Sequence, residues 1–264
     1  KWSGVAVLIL LFAFILYGSF NAYNPTVRTY SISIAKQAEP HDHLNIVMAA
    51  DTHFGLLSNR GHAARMVQAI NQLEPDLVLI PGDLVDDEID TFVSQNIAEV
   101  LSQIEAPLGV YASLGNHDRH PGPTQELIET IEKGNIRVLY DEGVSIEGLT
   151  LIGRKDRIEP DRAPLQDLMN DIDHTSPIFL LDHQPYNLDI AQQLGVDLMV
   201  SGHTHRGQVF PGSWITSRIF ENDWGHLQRG SFHSIVTSGY GFWGPPLRIG
   251  TRSEVVQILV TFNS

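Results

Sequence analysis

"DLVLIPGD", residues 76–83, sets five apolar residues in a row, Leu77 to Pro81, between an aspartate and a Gly-Asp pair. A run this short, with no polar residue alternating through it, reads as a β-strand buried on both faces, the kind found in parallel sheets covered by helices. The neighbouring stretches repeat the plan. "LNIVMAADTH" (44–53) comes before it and "PLGVYASLGNHD" (107–118) after it, and "SPIFLLDHQP" (176–185) and "VDLMVSGHTH" (196–205) follow later. Between the first three lie helical patterns. "AARMVQAINQL" puts Met66, Val67, Ile70 and Leu73 on one face, and "TFVSQNIAEVLSQI" does so with Phe92, Ile97, Leu101 and Ile104. "PTQELIETIEKGN" (123–135) has Pro near its start and Gly-Asn near its end, the usual helix punctuation. "VSIEGLTLIGR" reads as a hairpin, and "SIVTSGYG" and "SEVVQILVTF" as two late strands. The expected fold is one α/β domain over residues 44–264, with extra strands pairing late in the chain.

Composition narrows the chemistry. The chain has 264 residues, 42% of them hydrophobic and 18% charged, enough to bury a large core. The formal charge of −14, from 31 acidic against 17 basic residues, argues against nucleic acid as a partner and against non-specific attraction to an anionic surface. With no cysteine there is no disulfide, thiolate ligand or thiol nucleophile, which leaves His, Asp, Glu and Asn to hold any metal.

The N-terminus stands apart. "WSGVAVLILLFAFILYGSF", residues 2–20, carries no charge, and as a helix it would be about 28 Å long at about 1.5 Å per residue, close to the thickness of a bilayer core. It reads as a transmembrane anchor over 1–22. A cleaved signal peptide is the competing reading, but no small-x-small pair follows the run. Lys1, Arg28 and Lys36 give no usable bias for orientation, so the side of the membrane stays open, and a chain opening on Lys1 is compatible with further spans upstream. Residues 23–43 read as a juxtamembrane tether with a short alternating strand around 27–35.

Polar residues collect where the apolar runs stop, and in open α/β sheets those strand ends line the ligand crevice. In order they carry Asp51 and His53; Gly82, Asp83 and Asp86; Gly115, Asn116, His117 and Asp118; His183; and Gly202, His203 and His205. Each alone has an ordinary reading: Asp51 or Asp83 as a helix cap, Asn116 in a turn, His183 as a core histidine. Together, Asp51, His53, Asp83, Asn116, His183, His203 and His205 are enough to hold two divalent metals about 3.5–4 Å apart, with one carboxylate bridging. Two such ions against two carboxylates leave a positive centre for a phosphate, even in an acidic protein.

These motifs, "DTH", "GDLVD", "GNHD", the lone His183 and "GHTH", stand in the order seen in the calcineurin-like metallophosphoesterase superfamily, which the sequence resembles over about residues 44–262. The resemblance implies a four-layer α/β/β/α sandwich and two divalent metal ions (Mn, Fe or Zn). It implies that Asp51, His53 and His205 hold one metal, that Asn116, His183 and His203 hold the other, and that Asp83 bridges them. It implies that His117 acts on the leaving group with Asp86 orienting it, while a metal-bridging hydroxide attacks phosphorus. The apolar span and the "GHTH-x-GQ" and "GPPLRIG" stretches look most like the membrane-associated bacterial branch, whose members include phosphodiesterases and enzymes cleaving the pyrophosphate of UDP-diacylglucosamine. Arg206 departs from that branch, which usually has Gly there; it reads either as a contact to substrate phosphate or as a solvent-facing side chain.

The expected function is therefore a membrane-anchored phosphoesterase acting on a phosphodiester or pyrophosphate, lipid-linked substrates included. The competitor is a catalytically silent relative that binds or scaffolds, although every expected ligand is present. "HDH" (41–43) imitates an amidohydrolase pair but precedes the first core strand. "GYGFWG" (239–244) matches a dinucleotide fingerprint, yet Pro245 and Pro246 stand where a helix should begin. "FENDWGHLQRG" (220–230) reads as a surface excursion, or as a loop facing substrate or membrane.

Overall fold

The structure is a computed structural model that describes residues 2–86, 89–118, 124–170 and 172–263. Lys1, and the Pro123 expected to open a helix, lie outside the described residues. Helix α1 (Trp2–Tyr23) leads into β1 (Thr26–Ile34) and β2 (His43–Met48). Then come α2 (Arg60–Asn71), β3 (Leu77–Pro81), α3 (Ile89–Ser94), α4 (Ile97–Leu101), β4 (Val110–Ser113), α5 (Thr124–Glu132) and β5 (Ile136–Val138). The second half holds β6 (Glu142–Ile146), β7 (Leu149–Gly153), α6 (Leu165–Leu168), β8 (Ile178–Leu181), α7 (Leu188–Gln193) and β9 (Leu198–Ser201). Last are α8 (Gly212–Ile219), β10 (Gly225–Arg229), β11 (Phe232–Val236) and β12 (Glu254–Phe262).

The strands form two six-stranded sheets, ordered β1-β12-β2-β3-β4-β5 and β10-β11-β9-β8-β7-β6. Side-chain alternation along each strand builds the layers. Val78 and Ile80 of β3 face Met66, Ile70, Phe92, Ile97 and Leu127 of the helices. Leu77 and Leu79 of the same strand face the other sheet, against Leu151, Phe179, Leu181 and Val200. Behind that sheet, Ile178, Leu180 and Met199 pack on Leu165, Leu188 and Ala191. The result is the expected α/β/β/α sandwich, in which each fully buried Leu or Ile contributes about 1.5–3 kcal/mol.

Two local expectations change. The helix expected over 91–104 is broken at Gln95 and Asn96, where Asn96 turns left-handed at φ 51°. Asn tolerates that conformation, and Arg60 takes up the freed carbonyls, donating to Gln95 O at 3.2 Å and Asn96 O at 2.6 Å. The short strand expected around 27–35 is present as β1, but it belongs to the domain: it runs parallel to β12 from Thr26↔Glu254 to Ile34↔Phe262 and forms an edge of the first sheet. A parallel partner more than two hundred residues away leaves no local trace in the sequence.

The last turns of α1 are bound to the domain. Arg248 N donates to Gly18 O at 3.0 Å, Asn21 Nδ2 donates to Arg248 O at 3.2 Å, and Ala22 is fully buried. Before those turns the helix is exposed, and the whole apolar stretch Ser3–Tyr23, 21 residues of mean hydropathy 2.3, is long and apolar enough to cross a membrane.

Candidate metal centre

Strand ends from both sheets meet at one edge of the sandwich. The first sheet delivers Asp51 and His53 after β2, Asp83 after β3, and Asn116 and His117 after β4; the second delivers His183 after β8, and His203 and His205 after β9. Asp51, His53, Asp83, His203 and His205 all have positive φ, between 44° and 69°. These left-handed residues turn the chain back at the strand ends and aim the side chains inward.

The donors fall into two groups that meet at Asp83. In the first, His53 Nε2 lies 3.1 Å from His205 Nε2, and His205 Nε2 lies 3.7 Å from Asp51 Oδ1. In the second, Asn116 Oδ1 lies 2.8 Å from His203 Nδ1 and 3.2 Å from His183 Nε2. Asp83 Oδ2 stands 3.1 Å from His183 Nε2 and 3.8 Å from His53 Nε2, between the groups. Asp51 Oδ2 is buried without a hydrogen-bond partner. An orphaned carboxylate oxygen, facing imidazole nitrogens and crowded amide oxygen, is a donor set that fits divalent cations.

The surroundings prepare these donors. His183 Nδ1 is 2.9 Å from Pro81 O, which places its proton there and leaves the Nε2 lone pair facing Asp83. Burial lowers His203 to about 4 and holds His205 well below the usual range, so both present neutral imidazoles near pH 7. Burial raises Asp51 to about 6. Burial opposes ionisation of His183 and of Asp83, but their mutual attraction outweighs it, raising His183 to about 10 and holding Asp83 low. A cation would displace that proton.

Asp118, read with the strand-end residues, is structural. Its Oδ1 accepts from Leu84 N and Val85 N at 2.8 and 2.7 Å, and its Oδ2 from Gly115 N at 2.8 Å, fixing the "GNHD" loop against the "GDLVD" loop. Asp86 Oδ1 stands 3.5 Å from His53 Nδ1, and an oxygen of Asp86 and ring nitrogens of His53 and His117 lie within 4.8 Å of one another. His117 N donates to Asp83 Oδ1 at 2.8 Å.

Sequence reasoning missed Arg248. Fully buried behind the first group, it donates to Ser238 O at 2.6 Å and Gly241 O at 2.7 Å, with Nη2 3.2 Å from His205 Nδ1. It also missed the role of "GYGFWG", whose Gly241 leaves no room for a side chain: a β-carbon there would lie 2.2 Å from Thr52 O. Trp243 of the same stretch, with Val209 and Pro245, walls a cavity of about 500 Å³ whose floor holds Asp83, Asn116, His117, His203 and His205. Arg206 does not line this cavity and stands apart from both donor groups; its guanidinium lies 3.7 Å from the centroid of the Trp224 ring. Of residues 220–230, Phe220 approaches His203 (5.9 Å between rings), and Gly225–Arg229 form the edge strand β10. His41 and His43 pair with Glu147 and Thr261; His43 opens β2, the strand whose far end leads to Asp51.

A four-layer sandwich with Asp, His and Asn donors converging from both sheets defines a metal-dependent phosphoesterase fold. Residues 44–207 match the profile of the calcineurin-like phosphoesterases, and the chain belongs to that family. It is 31% identical over 274 residues to a Danio rerio transmembrane protein with metallophosphoesterase domain, an alignment covering 97% of this chain and 62% of the relative's length. An uncharacterized metallophosphoesterase of Aquifex aeolicus is 30% identical over 253 residues, covering 92% of this chain and 95% of its own. Among solved structures, a dimetal phosphatase from Danio rerio superposes with a TM-score of 0.48 at 13% identity, covering 83% of this chain and 98% of its own.

Proposed function

We propose that the protein is a membrane-anchored phosphohydrolase that holds two divalent cations and cleaves a phosphodiester or pyrophosphate bond in a lipid-linked substrate. The observation that carries the reading is the pair of donor groups sharing Asp83 on the floor of the cavity. Asp51, His53 and His205 would hold one cation, Asn116, His183 and His203 the other, with Asp83 between; the mixed N/O set suits Mn, Fe or Zn. Bound there, the cations supply Lewis acidity and acidify water to near neutrality. The chain supplies the rest. His117, whose ring lines the cavity, is placed to give a proton to the leaving oxygen, and Asp86 to orient it. Asn116 faces the same space and positions the phosphate.

The lipid part of the reading rests on the cavity wall. Exposed Phe210 and Trp214 pack together beside Val209, and Phe210 N donates to Ile249 O at 2.8 Å. Ile249 in turn packs against Gly18 near the foot of α1. The apolar helix and the apolar lip of the cavity therefore share one face, which suits a substrate presented by a bilayer such as UDP-diacylglucosamine. The relatives from Danio rerio and Bos taurus are named as transmembrane proteins, which supports the anchor.

The test is purified full chain in detergent. About two equivalents of divalent metal are expected, with hydrolysis of bis(4-nitrophenyl) phosphate lost on chelation and restored by metal. Asp83→Asn should lose metal and activity together. His117→Ala should keep the metal and lose about 10²–10⁴ in kcat. A two-metal protein that cleaves neither diester, monoester nor UDP-linked lipid would be a silent binding relative, and full activity in the variants would refute the residue roles.

A further inference from the structure

Arg206 leads to a second cavity. Its backbone sits at φ 48°, ψ 36°, a left-handed conformation that glycine adopts freely and other residues rarely. A long cationic side chain kept at such a position implies a use for it. The side chain runs back to Trp224, where its guanidinium lies 3.7 Å from the ring centroid and that of Arg28 lies 4.3 Å from the same ring. Together with Arg252, Tyr17 and Phe20, these residues line a cavity of about 530 Å³ at the foot of α1.

The charge there is unusual for this chain. The only carboxylate among the lining residues is Glu254, and it is engaged: it pairs with Arg28 at 3.2 Å and accepts from Trp224 Nε1 at 3.0 Å and Ser238 N at 2.9 Å. Arg252 donates Nε to Asn24 O at 2.9 Å, and its guanidinium lies 5.6 Å from the Phe20 ring. Among the described residues neither Arg206 nor Arg252 has a carboxylate partner. Three guanidiniums against one carboxylate make a centre of net charge +2 in a protein of net charge −14.

Position selects the ligand. Tyr17 and Phe20 are the last strongly exposed residues of α1, at 56% and 55%, and Asn21 and Ala22 are already buried in the domain. If α1 spans the bilayer, as the proposed function holds, the membrane surface lies at this level, where lipid phosphates sit. We propose that this cavity binds the phosphate of an anionic phospholipid headgroup, with Arg206 and Arg252 contacting the phosphate oxygens and Tyr17 and Phe20 bordering the glycerol end. The inference rests on the membrane-anchored reading of α1. It gives the domain a fixed orientation on the bilayer that a single helix would not.

The experiment uses full chain in detergent, titrated with dioctanoyl phosphatidylglycerol, dioctanoyl phosphatidylcholine or glycerol 1-phosphate and read by native mass spectrometry. Phosphatidylglycerol should bind saturably and about tenfold more tightly than phosphatidylcholine. Arg206→Gly and Arg252→Gln should each weaken it about five- to tenfold, leaving phosphatidylcholine unchanged. Arg206→Gly introduces the residue that backbone prefers, and a retained melting transition confirms that it folds. Equal binding of the two lipids, or unchanged binding by the variants, would overturn the proposal. Glycerol 1-phosphate binding as tightly as phosphatidylglycerol would assign the cavity to a soluble phosphate and overturn the lipid claim. Carbonate extraction of membranes separates the two readings: release of the chain refutes the anchor, whereas a retained chain without lipid preference refutes only the headgroup site.

Discussion

Gly115 precedes Asn116 and His117, and its lack of a side chain is what lets the "GNHD" loop lie against Asp83. A β-carbon added there would stand 2.2 Å from Asp83 Oδ1 and 2.6 Å from Asp83 N. Ordinary carbon–oxygen contact needs roughly 3.5 Å, so the overlap exceeds about 1 Å. Part of it falls on backbone, which cannot rotate out of the way as a side-chain tip can. Gly115→Ala should therefore cost about 1–3 kcal/mol, the usual penalty of overpacking. The functional loss should be larger, because Asp83 is the carboxylate common to both donor groups and a misplacement of about 1 Å costs on the order of 10²-fold in rate. Gly143→Ala is the control: nothing lies nearer than 3.8 Å to a β-carbon at that position on β6. The assay compares metal content, urea unfolding and diester hydrolysis of both variants with the parent. A Gly115→Ala protein with two metals and more than half the parental kcat would refute the argument that close approach at this glycine sets the position of Asp83.

Two further outcomes follow from buried groups near the site. Burial lowers His62 to about 4, so the unfolded chain binds a proton that the folded chain refuses as pH falls below about 6.5; stability therefore drops between about 6.5 and 4, by about 3 kcal/mol. Unfolding of the metal-free chain from pH 7 to 4, with His62→Gln alongside, checks this; equal slopes for the two proteins would count against it. Arg248→Met strands the carbonyls of Ser238 and Gly241 that the guanidinium now satisfies, and should destabilise by about 2–5 kcal/mol in urea unfolding. A loss below about 1 kcal/mol would mean that the loop re-pairs without it.

The parts of the protein that could be read in the sequence share one property, a local pattern. Leu77–Pro81 is a strand buried on both faces because five apolar residues run together, and Asp51, Asp83, Asn116, His183 and His203 come at strand ends because each follows such a run directly. What escaped depends on distant pairing. The strand around 27–35 was legible, but its partner β12, more than two hundred residues away, was not. Arg248 reaches His205 across forty-three positions, and nothing around "PPLRIG" hints that its arginine is buried. "GYGFWG" looked like a failed nucleotide loop because its glycines were judged by spacing alone; their use, letting one loop lie against the backbone of Asp51 and Thr52, appears only when the two segments are side by side. The break at Asn96 lay in view as an Asn, but a residue that tolerates a left-handed turn does not force one.

Each donor group draws on both sheets, and this gives the inner core a task beyond stability. Asp51, His53, Asp83 and Asn116 ride on the first sheet, whereas His183, His203 and His205 ride on the second. The spacing of donors within each group is therefore set by the side chains packed between the sheets, Leu77 and Leu79 against Phe179, Leu181 and Val200, all of them almost fully buried. A close-packed layer does not compress or drift. Contacts then join the sheets at the site itself: His183 bonds Pro81 O, and His203 N donates to Asp51 Oδ1 at 2.8 Å. Each crosses from one sheet to the other, so the positions of the donors are fixed by the core below them and by hydrogen bonds at their own level. That is why a chain with such bent strand ends can still hold seven donors in register: the bends are short, and both ends of each are anchored.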